Sequence, residues 1–153
     1  MTTERWVICK LDHLHWGTLG EAGLLLRHAP EGRAAIYLLH QRSRWIDEGG
    51  TWAPPGGALR EGESPEEAAR RTAREQVWPV PDYQVTAVDA EDCGAGWTFH
   101  VVRADVPKPF VAYCLQRTDA VGWFTVAEMG FLQLHPGFNP WFERQSALHP
   151  GAF

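Results

Sequence analysis

The sequence predicts an α/β protein, an α/β/α sandwich around a mixed sheet, and three observations carry that expectation. Short apolar runs of strand length recur along the chain, one helix with a sharply marked start interrupts them, and a second helical stretch follows the last of them. At 153 residues the chain is long enough to bury one hydrophobic core and too short for two, so a single domain over residues 1–153 is expected.

Residues 6–11 and 23–27 read as strands, with glycines between 17 and 20 supplying the turn. Residues 34–40 (AAIYLLH) are almost wholly apolar, which suits a central strand covered on both faces. The polar segment 41–51 reads as a loop, and the prolines and glycines of 52–57 argue against regular structure there. Ser64 as N-cap, Pro65 at the first helical position and Glu67 three residues after the cap then predict a helix from 65 to about 77, stopped by the prolines at 79 and 81. Residues 83–88 and 97–106 read as strands separated by a turn at 91–96, residues 121–126 as another strand, and a last helix is expected after Asn139.

Composition excludes several function classes. The formal net charge of −5 argues against a surface that coats nucleic acid, because such a surface needs a basic stripe to displace counterions from phosphate. No apolar run is long enough to cross a bilayer, and the first residues lack the layout of a signal peptide, so no membrane association and a cytoplasmic location are expected. Cys9, Cys93 and Cys114 are odd in number and widely spaced, unlike a disulfide framework or a zinc site. The histidines show no metal-ligand spacing, so His100, His135 and His149 read as structural.

The chemistry-bearing stretch is Gly57, Glu63 six residues on, Arg71 eight further, then Thr72-Ala73-Arg74-Glu75-Gln76-Val77-Trp78-Pro79. It follows Trp52-Ala53-Pro54-Pro55-Gly56-Gly57 and Glu61-Gly62-Glu63-Ser64. Positions 72, 75 and 76 share one face of a helix, where three carboxylates would hold magnesium. This stretch resembles the Nudix box, whose pattern runs Gly, five residues, Glu, seven residues, then Arg-Glu-aliphatic-x-Glu-Glu-x-Gly-aliphatic. Gly57, Glu63, Arg71 and Glu75 stand at its positions, whereas Thr72, Gln76 and Trp78 replace Glu, Glu and Gly. The likeness covers roughly residues 35–79, with weaker support from residues 122–128.

The resemblance implies a metal-dependent hydrolase with Mg2+ or Mn2+ as cofactor, acting on a small nucleotide or other diphosphate substrate. It implies Glu75 and Asp119 as catalytic groups; Gly56, Thr72, Glu75 and Gln76 around the metal; Arg42, Trp52, Gly56 and Gly57 against substrate; and Glu63 with Arg71 as the structural pair of the box. Some have a plainer reading: Arg42 as a solvated loop charge, Asp119 as a turn aspartate, and Trp52, like Trp97, as a core or pocket-wall residue where either could also stack on a base. A homodimer is compatible with the resemblance. Because Thr72 and Gln76 carry no charge, two functions stay open: a hydrolase whose chemistry rests on Glu75, and a non-catalytic module that senses a nucleotide or presents a surface to a protein partner.

Overall fold

The computed structural model describes residues 6–8, 14–94 and 96–153; of the expected first strand, residues 9–11 lie outside that range. The chain begins with a two-stranded hairpin of β1 (Trp6–Ile8) and β2 (Leu14–Trp16). The main sheet is built on β3 (Glu21–His28), whose apolar residues point alternately to opposite faces as strand geometry requires. Ala22, Leu24 and Leu26 pack toward the long helix, and Leu25 packs toward an aromatic cluster on the other side. β3 pairs antiparallel with β4 (Ile36–Arg42) and parallel with β9 (Trp97–Asp105). β8 (Gln84–Gly94) flanks β9, and β11 (Thr118–Phe124) flanks β4, giving the order β11-β4-β3-β9-β8.

Two short strands hang on this frame, and they correct the expectation that 52–57 is irregular. β5 (Trp52–Ala53) pairs with β4, and β6 (Gly56–Ala58) pairs with β3, with Pro54 and Pro55 between them. The prolines occupy only the connection, so neither removes a donor from the paired residues. Gly56 lies so close to β3 that a Cβ there would sit 2.0 Å from the Ala22 carbonyl oxygen, which is why a glycine stands in the strand.

The helix α1 (Pro65–Gln76) starts as its sequence predicts: the Ser64 Oγ accepts from the Glu67 N–H at 3.2 Å. Ala68, Ala69 and Ala73 are its buried face, small enough to lie flat on Leu24, Leu26 and Leu38. It ends one residue earlier than expected, because Val77 turns extended to form β7 (Val77–Trp78) against β10 (Tyr113–Cys114).

Two further boundaries differ from the sequence reading. Glu91 and Asp92 belong to β8, opposite Phe99 and Thr98, and the reversal is confined to the glycines at 94 and 96. An edge strand with one wet face carries acidic residues there, and those residues imitate turn composition. Val126 opens a short helix, α2 (Val126–Met129), capped by Thr125, instead of ending a strand.

The opposite face of the sheet is closed by α3 (Asn139–Leu148), whose Trp141 and Phe142 are buried with Phe138, Phe99 and Trp97. Trp97 is fully buried, so it is a core residue. The Trp141 indole N–H donates to Asp89 at 2.8 Å, which satisfies the one polar atom that the ring takes inside. No helix among the described residues is long and apolar enough to cross a membrane. No disulfide joins described cysteines: Cys93 is buried and Cys114 exposed.

Candidate functional site

The ends of β3, β4 and β6 and one side of α1 enclose a cleft of about 630 Å3. Residues from six segments distant in sequence line it, among them Glu21, Arg42, Asp47, Arg60, Glu75 and Arg117.

On the helix side, Arg71 and Glu63 form a two-point ion pair. The guanidinium Nε donates to Glu63 Oε2 at 2.8 Å and Nη2 to Oε1 at 2.7 Å, while Nη2 also reaches the Ala58 carbonyl at 3.0 Å. The Arg71 guanidinium, helped by the Arg60 N–H, holds the Glu63 carboxyl below the usual carboxylate range. These bonds tie loop 58–63 to the helix. Arg71 Nη1 lies 3.8 Å from Glu75 Oε1, so the same cation also faces the Glu75 carboxylate.

The two neutral residues of the helix face are both committed elsewhere. The Thr72 hydroxyl donates back to the Ala68 carbonyl at 2.7 Å, and its methyl faces Gly57. Gln76, buried at 3% exposure, grips both backbone groups of Gly56: its Oε1 accepts from the Gly56 N–H at 2.8 Å and its Nε2 donates to the Gly56 carbonyl at 2.7 Å. Of Gly56, Thr72, Glu75 and Gln76, only Glu75 therefore presents a carboxylate to the cleft. With the Gly56 carbonyl and the Gln76 oxygen already hydrogen-bonded to one another's groups, the set offers a cation one charged oxygen ligand where the Nudix pattern places three carboxylates.

Across the cleft the charge is denser and more deeply buried. Arg42, 5% exposed, turns into its own loop: Nε donates to the Asp47 carbonyl at 3.0 Å and Nη2 to Asp47 Oδ1 at 2.8 Å. The other carboxylate oxygen, Asp47 Oδ2, is buried with no hydrogen-bond partner among the described residues. Glu21, 4% exposed at the start of β3, is pushed up to about 7 by burial, against the pull of Arg42 and with the push of Asp47 and Glu48. His135 Nε2 stands 3.9 Å from Glu21 Oε2. The His135 Nδ1 accepts from the Gly137 N–H at 2.9 Å, so the neutral ring carries its proton on Nε2, toward Glu21.

Gly56, Gly57, Thr72, Glu75, Gln76, Arg42 and Arg71 thus meet at one cleft, while Glu63, behind Arg71, and two further candidates do not line it. Asp119 is exposed and accepts from the Arg44 N–H at 3.2 Å. Trp52 packs edge-on against Phe124, 5.1 Å between ring centroids. Glu21, Asp47, Arg60 and Arg117 escaped sequence reasoning, and His135, read there as structural, stands beside Glu21. A charged residue opening the apolar run of β3 was the one local signal available for Glu21. Arg117 gave none, although its left-handed backbone (φ 57°) marks it in the structure.

A parallel-and-antiparallel sheet between helices, with a Glu63–Arg71 pair locking the loop before α1, defines a Nudix type of protein. A model of the NUDIX domain matches residues 20–145, and the chain belongs to the Nudix family. It is 36% identical over 148 residues to a Mycobacterium tuberculosis protein named putative 8-oxo-dGTP diphosphatase 3, covering 92% of this chain and 68% of that one. Among solved structures it is similar to RenU, a Nudix hydrolase from M. smegmatis, with a TM-score of 0.78 and 34% identity over 94% of this chain and 93% of that one. A C. elegans Ap4A hydrolase shares the fold, at a TM-score of 0.66 and 18% identity over 84% and 96% of the two chains.

Proposed function

We propose that the chain is a hydrolase that cleaves a diphosphate linkage in a nucleoside diphosphate derivative, of the nucleoside triphosphate or nucleotide-sugar class, with Mg2+ or Mn2+. The observation that carries this reading is the Glu75 carboxylate, which opens from a helix fixed by Glu63 and Arg71 into the cleft that Arg60 and Arg117 also line. The name of the M. tuberculosis relative favours a nucleoside triphosphate.

Arg60 and Arg117 are exposed, with no hydrogen bond from either guanidinium to a described residue, and are free to meet phosphate oxygens in two-point contacts. Glu75 accepts a proton from the attacking water as its oxygen bonds to phosphorus; the bridging P–O bond breaks, and the proton passes to the departing phosphate. A divalent cation would neutralise the phosphate oxygens. Asp119, outside the cleft lining, is not needed as the base.

The test is a panel of nucleoside triphosphates and nucleotide sugars incubated with Mg2+ or Mn2+ at several pH values, with products resolved by chromatography. Glu75→Gln is expected to lower kcat by about 10² to 10⁴. Absence of turnover across the panel overturns the proposal. That result would favour a nucleotide-sensing or protein-interaction module, for which the commitment of Gln76 to Gly56 is the specific support.

A further inference from the structure

The cleft's second charged group has no role in the mechanism above. Ligand atoms of Glu21, Asp47 and His135 lie within 4.8 Å of one another. Glu21 accepts no hydrogen bond from any described residue although it is 4% exposed, and Asp47 Oδ2 is an equally buried acceptor with no described residue donating to it. Arg42 brings one positive charge against these two carboxylates and commits Nε and Nη2 to Asp47. With the guanidinium turned to Asp47 Oδ1, Asp47 Oδ2 and the Glu21 carboxyl keep oxygen lone pairs that a cation can take up.

We propose that Glu21 and Asp47 together bind one hard divalent cation, of the Mg2+ and Mn2+ class, at the floor of the cleft. Two carboxylate oxygens with several retained waters is the ordinary protein contribution to such an ion. The two oxygens of a bound Mg2+ lie at most about 4.2 Å apart, twice the metal–oxygen distance of about 2.1 Å, so the present separation needs only a small approach. His135 is not a direct ligand, because its Nδ1 is taken by the Gly137 N–H and its Nε2 carries the proton. That Nε2–H is placed to donate to a water on the cation, which orients the ion's hydration shell. The site differs from the helix-face set: Glu21 opens β3 and Asp47 lies in the loop after β4, whereas Glu75 stands on α1. It concerns binding without nucleotide, so it stands or falls separately from turnover.

The experiment is a Mn2+ titration of the chelator-stripped full chain, followed by electron paramagnetic resonance, with Mg2+ as competitor. The wild type is expected to bind one Mn2+ that Mg2+ displaces. Loss of a group that only orients a ligand weakens metal binding by about 10- to 100-fold, and Glu21→Gln and Asp47→Asn, which remove ligands, should each cost at least that much. Glu75→Gln should bind as the wild type does. Asp47→Asn keeps an oxygen for Arg42 and so guards against a folding defect, with far-ultraviolet circular dichroism as the check on both variants. The proposal is overturned if the wild type binds no Mn2+, if a folded Glu21→Gln or Asp47→Asn variant binds normally, or if Glu75→Gln abolishes binding.

Discussion

Gln76→Glu restores the residue that the Nudix pattern places at this position, and the structure gives it an unexpected cost. The Gln76 amide now donates to the Gly56 carbonyl and accepts from the Gly56 N–H, at 3% exposure. A glutamate keeps the second bond and loses the first, and it turns a carboxylate oxygen toward a carbonyl oxygen. Losing a buried donor's bond costs about 1–3 kcal/mol, more where the remaining group is charged, so about 3 kcal/mol of destabilisation is expected in chelator at about pH 8. For a domain of this size that corresponds to a melting temperature lower by about 6–12 °C. The sign with pH follows from burial, which raises the new carboxyl's pKa: as pH falls through it, the group gains a proton, can donate to Gly56 again, and the defect shrinks. Denaturant unfolding of parent and variant at several pH values, in chelator and in Mg2+, measures this. A variant as stable as its parent in chelator at about pH 8 would refute the reasoning. Recovery in Mg2+ would show that the introduced carboxylate and Gly56 can gather a cation once the amide no longer bridges helix and strand.

Three further outcomes are expected. Gly56→Ala should fail to fold or lose on the order of 4 kcal/mol, since its Cβ meets backbone 2.0 Å away; thermal unfolding reads the loss. His40, buried and held near a pKa of about 3 by desolvation and Arg42, stays neutral in the fold. The unfolded chain therefore takes up a proton first, and stability should fall by about 1.4 kcal/mol per pH unit as pH drops below the ordinary histidine range toward 3. His40→Gln should flatten that limb in a pH series of denaturant titrations. Arg71→Lys, which cannot make the two-point bond to Glu63, should lower kcat/KM while leaving circular dichroism unchanged; unaltered kinetics would separate the pair from the chemistry.

The parts of the fold legible in the sequence were those fixed by local chemistry. Ser64, Pro65 and Glu67 announced α1 because capping is settled within one turn, and the apolar run at 34–40 announced the internal strand β4. The short strands β5 and β6 were hidden because their pairing partners lie elsewhere in the chain and prolines dominate their composition. At the site, the motif spacing led to one wall of the cleft, where Glu63, Arg71 and Glu75 stand. It could not show that the Gln76 oxygen is taken by the Gly56 N–H, since a side chain's partner is a tertiary fact. Nor could it place Glu21, Asp47 and His135 together, because their proximity depends on the packing of strand, loop and a distant segment.

The parallel pairing of β3 with β9 has a consequence for how the sheet comes into being. Glu21 sits opposite Phe99, and the chain between them contributes β4, β5, β6, α1, β7 and β8 before that register can close. Contacts between residues so distant in sequence form late, after the entropy of closing long loops has been overcome. Hairpins and α1 can gather early, and the β3–β6 pairing that sets Glu21 beside Ala58 joins the walls of the cleft without β9. A slow step should therefore separate recovery of helical signal from closure of the β3–β9 seam, and binding can return before that seam is complete.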